Sequence, residues 1–343
     1  KMTKVMVAMS GGVDSSVAAA LACENGDEVV GVTLKLWGGE SDSGCCSVSD
    51  VDDARRAADA LGIEHHVFNL GEDFDEYVVA PYVKAHSVGL TPNPCIECNR
   101  HIKFDRLLNR AKALGFEKIV TGHHARIVKQ KDKTFRIARA ADEGKDQSYV
   151  LYMLNQEQIS SLHLPIGEMT KDQVREKANS LGLRVATKPD SQDVCFITRE
   201  KGRADFLRQR ISLTPGKVVD ENGSEVGQVE AIELVTIGQR RGMLLAGGKE
   251  PRYANNIDIE SATVTVGNTD QLLVNQTEFR DPFWSSKKVE GELLVQTSAH
   301  GKPKLANLED GLLVWKEAHS RVASGQSLVF YEKDQVIGGA IAI

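Results

Sequence analysis

The strongest constraint on the fold is a strand, a glycine-rich turn and a helix encoded together in residues 5–20. An apolar run from Val5 to Met9 has strand character and stops at Ser10-Gly11-Gly12; an alanine-rich run typical of a helix follows from Asp14. Such an arrangement points backbone N–H groups and the positive end of the helix dipole at an anion. The spacing matches neither GxxxxGK[ST] nor GxGxxG, so neither a Walker site nor a nicotinamide cofactor is indicated.

The residues SGGVDSS (10–16) resemble the pyrophosphate-binding loop, or PP-loop, of the ATP-pyrophosphatase superfamily. Members of that superfamily cleave ATP between the α and β phosphates and adenylate a substrate oxygen. The resemblance implies that this chain uses ATP and Mg²⁺, with Asp14 placed either to meet the metal or to cap the helix. The alternative is an ordinary strand–helix turn rich in small residues.

Length and composition are those of an ordinary globular protein. A chain of 343 residues is long enough for two or three domains, and 41% apolar with 26% charged residues is unexceptional. No apolar run reaches the roughly 18 residues of a membrane span. The sequence enters its first strand at once, so we expect no signal peptide and a cytoplasmic location.

Charge is distributed unevenly along the chain. The net charge of −6 argues by itself against a nucleic-acid binder. However, residues 100–139 hold 12 Lys/Arg against 3 Asp/Glu, whereas residues 40–76 hold 2 Lys/Arg against 11 Asp/Glu. This asymmetry permits one basic face on an acidic protein, although both segments are equally consistent with solvated helix faces.

Strand and helix patterns alternate over residues 1–125, which predicts an α/β domain with a doubly wound, mostly parallel sheet. Ligands of such sheets bind at the carboxyl ends of the strands. The predicted edge collects the Ser10–Ser15 turn, the Leu34–Trp37 region and Gly122-His123. From 126 to 200 the pattern becomes more helical.

After about residue 210 short apolar runs alternate with Gly, Asn and Pro turns, and residues 220–223 (DENG) are typical of a hairpin. The final third is therefore predicted to be all-β, with a small barrel or sandwich at its end. We place the domains at 1–205 (ATP-binding and adenylating), 206–272 (a small β-rich central domain) and 273–343 (a C-terminal β-barrel).

Six cysteines in 343 residues, at positions 23, 45, 46, 95, 98 and 195, are too few for a secreted disulfide scaffold. Cys95 and Cys98 lie in TPNPCIECN, a loop stiffened by two prolines. Asn99 is a plausible N-cap, which would put Cys98 at a helix N-terminus. There the dipole and the basic residues after it (Arg100, His101 and Lys103) would stabilise a nucleophilic thiolate.

Cys195 lies in a third stretch, KPDSQDVCF (188–196). Taken alone, a single cysteine after a polar loop is more often an inert, half-buried apolar side chain than a functional group.

The three stretches occur together and in order, and this set closely resembles the tRNA-specific 2-thiouridylase family. Four further matches agree with that family, GHHAR (122–126), KDQSY (145–149), LPIG (164–167) and TIGQRRG (236–242). The resemblance covers residues 8–242 most strongly. It implies an adenine nucleotide α-hydrolase-like PP-loop domain, a central domain and a C-terminal barrel, with tRNA lying across all three.

The resemblance also implies an activity and a role for each matched residue. The activity is ATP-dependent 2-thiolation of the wobble uridine of Lys, Glu and Gln type tRNAs, by a tRNA-uridine 2-sulfurtransferase. Cys98 would be the nucleophile and Cys195 the persulfide carrier, and the two would form a transient disulfide.

The ATP-binding residues implied are Ala8, Met9, Ser10, Gly11, Gly12, Val13, Asp14, Ser15, Leu34 and Gly122. The target base would meet Asn93, Pro94 and Cys95. The tRNA contacts implied are His123, Lys145, Asp146, Gln147 and Gln326. A sulfur-relay protein or cysteine desulfurase would be the persulfide donor, and the enzyme is expected to be a monomer.

Three alternatives stay open at this point. Many relatives have an aspartate, a proposed proton acceptor, where this chain has Cys95, which leaves the general base open. Cys95, Cys98 and Cys195 together supply the ligand number of an iron–sulfur cluster with one open position, so a cluster-dependent tRNA thiolase is one alternative. A PP-loop ligase or amidotransferase would explain the loop without the cysteines, and a zinc- or cluster-stabilised RNA-binding module would need no catalysis.

Overall fold

A parallel sheet forms the centre of the N-terminal part of the chain. The computed structural model describes residues 2–36, 47–190, 194–197, 202–245 and 251–343, so Trp37, Cys45 and Cys46 lie outside the described residues. The strands of this part are β1 (Lys4–Ala8), β2 (Glu28–Lys35), β3 (Glu64–Asn69), β4 (Lys118–Thr121), β5 (Ala125–Lys129), β6 (Phe135–Arg139) and β7 (Leu162–His163). Five of them form the parallel sheet in the order β3-β2-β1-β4-β7.

Helices cover both faces of this sheet. They are α1 (Val13–Glu24), α2 (Val48–Leu61), α3 (Gly71–Phe74), α4 (Ala80–Ser87), α5 (Pro94–Glu97), α6 (Leu108–Ala113), α7 (Gln156–Ser160), α8 (Lys171–Ser180) and α9 (Gly202–Arg208). Wider π-helical turns span Asp75–Val79 and Cys98–Leu107, and short 3-10 turns span Glu143–Lys145, Ser148–Leu151, Arg184–Thr187, Ile232–Leu234 and Asp270–Leu272. Among the described residues no helix has the length and apolarity needed to cross a membrane.

Alternate residues of β1 serve two different cores, because successive side chains of a strand point to opposite faces. Val5 and Val7 pack with the alanines of α1 and α2, whereas Met6 packs with Phe104 and Ile119 on the other side. The predicted doubly wound α/β sheet is confirmed.

The helix that carries the cysteine pair begins earlier than the sequence pattern suggested. Asn93 is its N-cap, and its side chain accepts a hydrogen bond of 3.0 Å from the backbone N–H of Cys95. Pro94 occupies the first helical position, where its missing N–H costs nothing. The helix then runs without a break through Cys98 into the π-helical stretch. The prediction that Asn99 caps the helix is therefore wrong: Asn99 is only 2% exposed and its Nδ2 donates to the carbonyl of Val150 at 3.0 Å.

The remaining strands form two smaller units. A four-stranded sheet contains β8 (Gly216–Val219), β9 (Glu225–Val229), β10 (Tyr253–Asp258) and β11 (Thr263–Gly267), in the order β10-β11-β8-β9. The predicted DENG hairpin joins β8 to β9, with Gly223 at φ +80°. Strands β12 (Leu273–Trp284), β13 (Gly291–Gln296), β14 (Lys304–Glu309), β15 (Leu312–Ser320), β16 (Ser327–Glu332) and β17 (Gln335–Ala342) close into an antiparallel barrel, because β12 pairs with both β15 and β17. The predicted C-terminal barrel is confirmed.

The β5–β6 hairpin, in a region where the pattern suggested helices, extends the barrel sheet. Strand β6 pairs with β17 through Ala138 and Gln335. The guanidinium of Arg139 lies 4.0 Å from the ring centroid of Tyr331 on β16 and donates to Gln296 on β13 at 2.7 Å. The β5–β6 hairpin of the N-terminal part and the six barrel strands therefore form one eight-stranded sheet, separate from the parallel sheet.

Candidate active site

The phosphate loop, residues 10–16, ends at a helix N-terminus that no side chain caps. In α2, α7 and α8 a capping box satisfies the first N–H groups, whereas the N-cap of α1 is Gly12, which has no side chain to form a cap. The hydroxyls of the loop instead bond within it: Ser15 Oγ accepts from the N–H of Ser10 at 3.1 Å, and Ser16 Oγ donates to the carbonyl of Gly12 at 2.9 Å. A helix start with uncapped N–H donors fits an anion such as a polyphosphate.

Two glycines let neighbouring backbone pack tightly against this loop. Gly11 has φ +75°, and a Cβ there would lie 2.2 Å from the carbonyl oxygen of Asp50. A Cβ on Gly122 would lie 2.6 Å from the backbone nitrogen of Ser15. Gly122, at the end of β4, thus lies directly against the start of α1, and the loop is held from two sides.

The other residues predicted to bind ATP lie at the same edge of the sheet. Met9 donates its backbone N–H to Val32 at 2.8 Å and accepts from Thr33 Oγ1 at 2.8 Å, which fixes the end of β1 beside β2. Leu34, near the end of β2, is buried in the apolar cluster that also contains Cys98. Ala8 ends β1 and Val13 begins α1, so the predicted residues lie at the ends of the strands and at the start of α1.

Asp14 is held by two partners at the start of α1. Lys171 Nζ lies 2.7 and 2.8 Å from its two carboxylate oxygens, and His124 Nε2 lies 3.1 Å from Oδ1. Burial alone would raise the pKa of Asp14, but the hydrogen bonds from His124 and Lys171 outweigh burial and lower it. Asp14 is therefore an ionised acceptor beside the phosphate loop, which suits it to a Mg²⁺ ion carried by ATP.

The Cys195 segment, defined as residues 188–190 and 194–197, is tied to the phosphate loop by charged groups. Lys188 Nζ donates to the carbonyl of Gly11 at 3.0 Å and to Asp50 and Asp53 at 2.7 and 2.6 Å. Asp190 accepts from Lys145, Lys171 and Arg175, each at 2.8 Å. Burial would raise the pKa of Asp190, but the hydrogen bonds from Lys145 and Lys171 lower it to about 2.

The opposite end of the segment is held by aromatic contacts. Phe196, directly after Cys195, packs its ring 5.8 Å from Phe74, 5.3 Å from Tyr82 and 5.1 Å from Phe206, measured between centroids. Cys195 itself is half-buried against the apolar cluster that contains Cys98. Within this segment, ion pairs therefore hold Lys188 and Asp190, and aromatic contacts hold Phe196.

Cys98 is buried, 7% exposed, in the same cluster. The helix of Cys98 packs against the π-helical turn 75–79, and that turn lies between Phe74 and Tyr82, which hold Phe196. Because the helix starts at Pro94, Cys98 lies in its second turn and exposed Cys95 in its first, where the dipole is strongest. The expected dipole stabilisation thus falls on Cys95 more than on Cys98.

The residues predicted to contact tRNA divide into exposed and internal groups. Lys145 is partly exposed beside Asp190, and Gln147 is exposed but accepts from the backbone N–H of His124 at 2.9 Å. The Asp146 side chain is 5% exposed and pairs with Arg139 at 2.9 Å. His123 is buried against Phe104, with Nδ1 2.7 Å from Thr121 Oγ1, and burial lowers its pKa well below the ordinary value.

The barrel turn that contains Gln326 contacts the loop before the cysteine pair. The backbone N–H of Thr91 donates to the carbonyl of Ser324 at 2.8 Å. A Cβ on Gly325 would lie 3.1 Å from Leu90 Cβ. The turn that contains Gln326, which was predicted from a loose match only, therefore lies against residues 90–91, directly before the residues Asn93, Pro94 and Cys95.

The donor set for an iron–sulfur cluster does not assemble. Within the part of the chain that the structure describes, no three His, Cys, Asp or Glu side chains form a group able to hold a metal ion. Cys95 is exposed whereas Cys98 is buried, so these two thiols face different surroundings. The arrangement of the three thiols therefore does not fit a cluster.

Comparison with known proteins divides the chain into three matched regions. Residues 3–199 match a family model described as a tRNA methyl transferase HUP domain, residues 204–268 its PRC-barrel domain, and residues 271–342 an aminomethyltransferase β-barrel domain. A tRNA-specific 2-thiouridylase from Chloroflexus aurantiacus is 44% identical over 98% of this chain and 98% of its own length. The chain belongs to the tRNA-specific 2-thiouridylase family.

Other members of the thiouridylase family are nearly as similar. The enzyme of Thermobifida fusca is 42% identical over 98% of this chain and 94% of its own, and that of Clostridium botulinum is 40% identical over 98% and 97%. Among solved structures, the U34-tRNA thiolase NcsA from Methanococcus maripaludis is 18% identical with a TM-score of 0.37, and covers 56% of this chain and 62% of its own. The identities of 40–44% over 98% of the chain confirm the predicted family.

Sequence patterns alone did not single out Lys171, Lys188 or Asp190. Lys188 and Asp190 belong to the KPDSQDVCF stretch, and Lys171 starts α8. The available sequence signal was that a lysine at the first helical position opposes the helix dipole, so another partner must stabilise it.

Proposed function

We propose that this protein is an ATP-dependent tRNA-uridine 2-sulfurtransferase that converts the wobble uridine of Lys, Glu and Gln type tRNAs to 2-thiouridine. The observation that carries the proposal is the packing of Cys98 and Cys195 on one apolar cluster, beside an uncapped phosphate loop. A ligase needs the loop alone, and a binding module needs neither. Full-length similarity to enzymes named 2-thiouridylase supports the same activity.

The first step activates the base. The 2-carbonyl oxygen of uracil is a poor leaving group, so it attacks the α-phosphorus of ATP, and pyrophosphate departs. Residues 8–15 bind the phosphates through backbone donors, while Leu34 and Gly122 contact the adenosine. Asp14 would hold the Mg²⁺ ion that accompanies ATP, and that ion would neutralise the charge that develops on the phosphate oxygens.

The second step transfers sulfur. Cys195 carries a persulfide, and its terminal sulfur attacks C2 of the activated uridine, expelling AMP. The Cys98 thiolate then attacks Sγ of Cys195, breaking the S–S bond and releasing 2-thiouridine, with a Cys98–Cys195 disulfide left behind. An external thiol must supply two electrons to reduce that disulfide, and a sulfur-relay protein or cysteine desulfurase reloads Cys195.

The tRNA lies across all three domains. Lys145, Gln147 and Gln326 contact the nucleic acid, while Asp146 and His123 support that surface from within. Asn93, Pro94 and Cys95 meet the flipped uridine, which has to leave its stack to reach the buried thiol. The enzyme acts as a monomer with domains at 1–205, 206–272 and 273–343.

The test is anaerobic incubation of the protein with ATP, Mg²⁺, unmodified tRNA and a persulfide-loaded cysteine desulfurase or sulfur-relay protein, followed by mass analysis of the nucleosides. We expect 2-thiouridine from the wild type and none from Cys195→Ser or Cys98→Ser with a protein persulfide donor. Cys23→Ser is the matched control, since Cys23 lies on α1 away from both thiols. Pyrophosphate release that needs no tRNA and survives in Cys98→Ser contradicts the proposal and favours a PP-loop ligase.

A further inference from the structure

Lys171 is bound by two carboxylates that belong to different functional segments. Its ammonium lies 2.7 Å from Asp14, at the start of α1, and 2.8 Å from Asp190, in the Cys195 segment. The Lys171 side chain is only 10% exposed. A lysine at the first position of a helix opposes the helix dipole, so the two carboxylates, rather than α8 itself, stabilise the charge there.

Each carboxylate has another partner, so Lys171 matters chiefly as the link between them. Asp14 also contacts His124, and Asp190 also binds Lys145 and Arg175. Without Lys171 neither carboxylate would be left unpaired. What would be lost is one direct connection between the phosphate loop and the Cys195 segment.

Lys188 makes a second connection between the same two segments. It lies two residues before Asp190 and donates to the carbonyl of Gly11, while Asp50 and Asp53 hold its charge. The two lysines thus hold the start of the Cys195 segment at two points of the phosphate loop, Gly11 and Asp14. Sulfur transfer needs the terminal persulfide sulfur close to the activated C2 carbon and correctly oriented towards it. A misplacement of the reacting atoms by about 1 Å can lower the rate on the order of a hundredfold.

We propose that Lys171 and Lys188 are positioning residues that set the place of the Cys195 segment relative to the phosphate loop, and so couple adenylation to sulfur transfer. This inference rests on the proposed function, because it assigns Cys195 the role of sulfur carrier. It concerns the coupling of the two steps, not the chemistry of either.

The experiment compares Lys171→Met, Lys188→Met and the double variant with the wild type. Lys177→Met is the matched control, because the Lys177–Glu24 ion pair of 2.6 Å also joins α8 to α1 but lies at the far end of α8. The first readout is the ratio of AMP released to 2-thiouridine formed. The second is the rate at which diamide oxidises the two thiols to a Cys98–Cys195 disulfide, followed by peptide mapping without ATP or tRNA.

We expect each single variant to raise the ratio of AMP released to 2-thiouridine formed by about three- to tenfold, and to slow formation of the Cys98–Cys195 disulfide by a similar factor. The double variant should show a larger effect on both readouts. Lys171→Arg should restore part of the loss, because it keeps a cation between the two carboxylates. Lys177→Met should match the wild type in both readouts.

Two results would overturn the inference. One is an unchanged ratio and cross-linking rate in Lys171→Met and in the double variant. The other is a rise in the KM for ATP with no change in either readout, which would make the lysines phosphate ligands only. A wild type that makes no 2-thiouridine refutes the proposed function instead, and the cross-linking rates then decide the positioning role by themselves.

Discussion

The ammonium of Lys188 donates a hydrogen bond of 3.0 Å to the carbonyl oxygen of Gly11, so the segment that leads to Cys195 is attached to the turn that starts the phosphate loop. The same ammonium pairs with Asp50 and Asp53 near the start of α2. Burial would lower the pKa of Lys188, but the hydrogen bonds that it donates to these aspartates raise it, so the cation is retained at neutral pH. One side chain thereby joins three separate stretches of sequence.

Replacing this cation should destabilise the protein. Lys188→Met leaves Asp50 and Asp53 close together without their counter-ion, and we expect it to lower the free energy of unfolding by about 1–2 kcal/mol. Urea unfolding followed by circular dichroism measures the change. Lys112→Met is the control, because its partner Glu157 is 76% exposed and such pairs contribute below about 1 kcal/mol. An equal loss in the free energy of unfolding for Lys188→Met and Lys112→Met would contradict the stabilising role given to Lys188.

Gly11 should tolerate no side chain. Gly11→Ala places a methyl group 2.2 Å from the carbonyl of Asp50, at φ +75°, so both a collision and an unfavourable dihedral angle arise. We expect a loss of about 3 kcal/mol or more in the free energy of unfolding, and loss of ATP binding in calorimetry.

Gly26→Ala separates the cost of the unfavourable backbone dihedral angle from the cost of the steric collision. Gly26 has φ +79° but no atom within 4 Å of its Cβ position, so only the dihedral penalty of about 1 kcal/mol should appear. A Gly11→Ala variant no less stable than Gly26→Ala would show that the loop is not packed against α2 as described.

The stability of the protein should depend on pH through His86. Burial, aided by the charge of Arg203, lowers the pKa of His86 from 6.5 to about 4, although a hydrogen bond to the backbone of Glu233 opposes the shift. The unfolded chain binds this proton first as pH falls, so the contribution of neutral His86 is complete above pH 6.5 and is lost progressively towards pH 4. The loss amounts to about 3 kcal/mol.

Unfolding free energies measured between pH 7 and 4 test this expectation in the wild type and in His86→Gln. The variant should show a flatter profile over that range, and the His86 ring signals of the wild type should titrate near pH 4 in NMR spectra. A ring that titrates near 6.5 would refute the prediction.

Arg139 should anchor the barrel to the N-terminal part. Its guanidinium pairs with the buried carboxylate of Asp146, bonds to Gln296 and stacks on Tyr331. Arg139→Met leaves the Asp146 charge buried without its partner, and we expect a loss of about 3 kcal/mol in the free energy of unfolding.

Arg136→Met is the control for this substitution. Arg136 lies on the same strand, but its partner Glu332 is 59% exposed, so we expect a loss of about 1 kcal/mol or less. Retained thiolation at the wild-type rate in a folded Arg139→Met variant would mean that the anchoring does not serve the tRNA surface.

Short-range patterns were sufficient to predict much of the fold and the family. The alternation of strand and helix predicted the parallel sheet, and DENG predicted the β8–β9 hairpin, because in each case the determinants lie within a few adjacent residues. The start of the helix that carries Cys95 and Cys98 was predicted wrongly, although its signal was local. Proline was interpreted as stiffening a loop, whereas Pro94 occupies the first helical position and Asn93 caps the helix.

Contacts between distant parts of the chain were beyond any local pattern. The β5–β6 hairpin is stabilised by pairing with β17, about two hundred residues later, so its own sequence gave no sufficient signal. The burial of Asp146 and His123 likewise depends on elements far away in sequence, which is why a matched motif could not tell exposed contacts from internal supports.

The amino-acid sequence by itself determined the order of the elements, the phosphate loop and the thiols that carry the proposed chemistry, since each depends on residue type and short spacing. Only the tertiary structure decided that Asp14, Lys171 and Asp190 meet, and that Lys188 reaches Gly11. Ion pairs of this kind form where folded backbone brings opposite charges within a few ångströms, and that distance is a property of the packed sheet and helices.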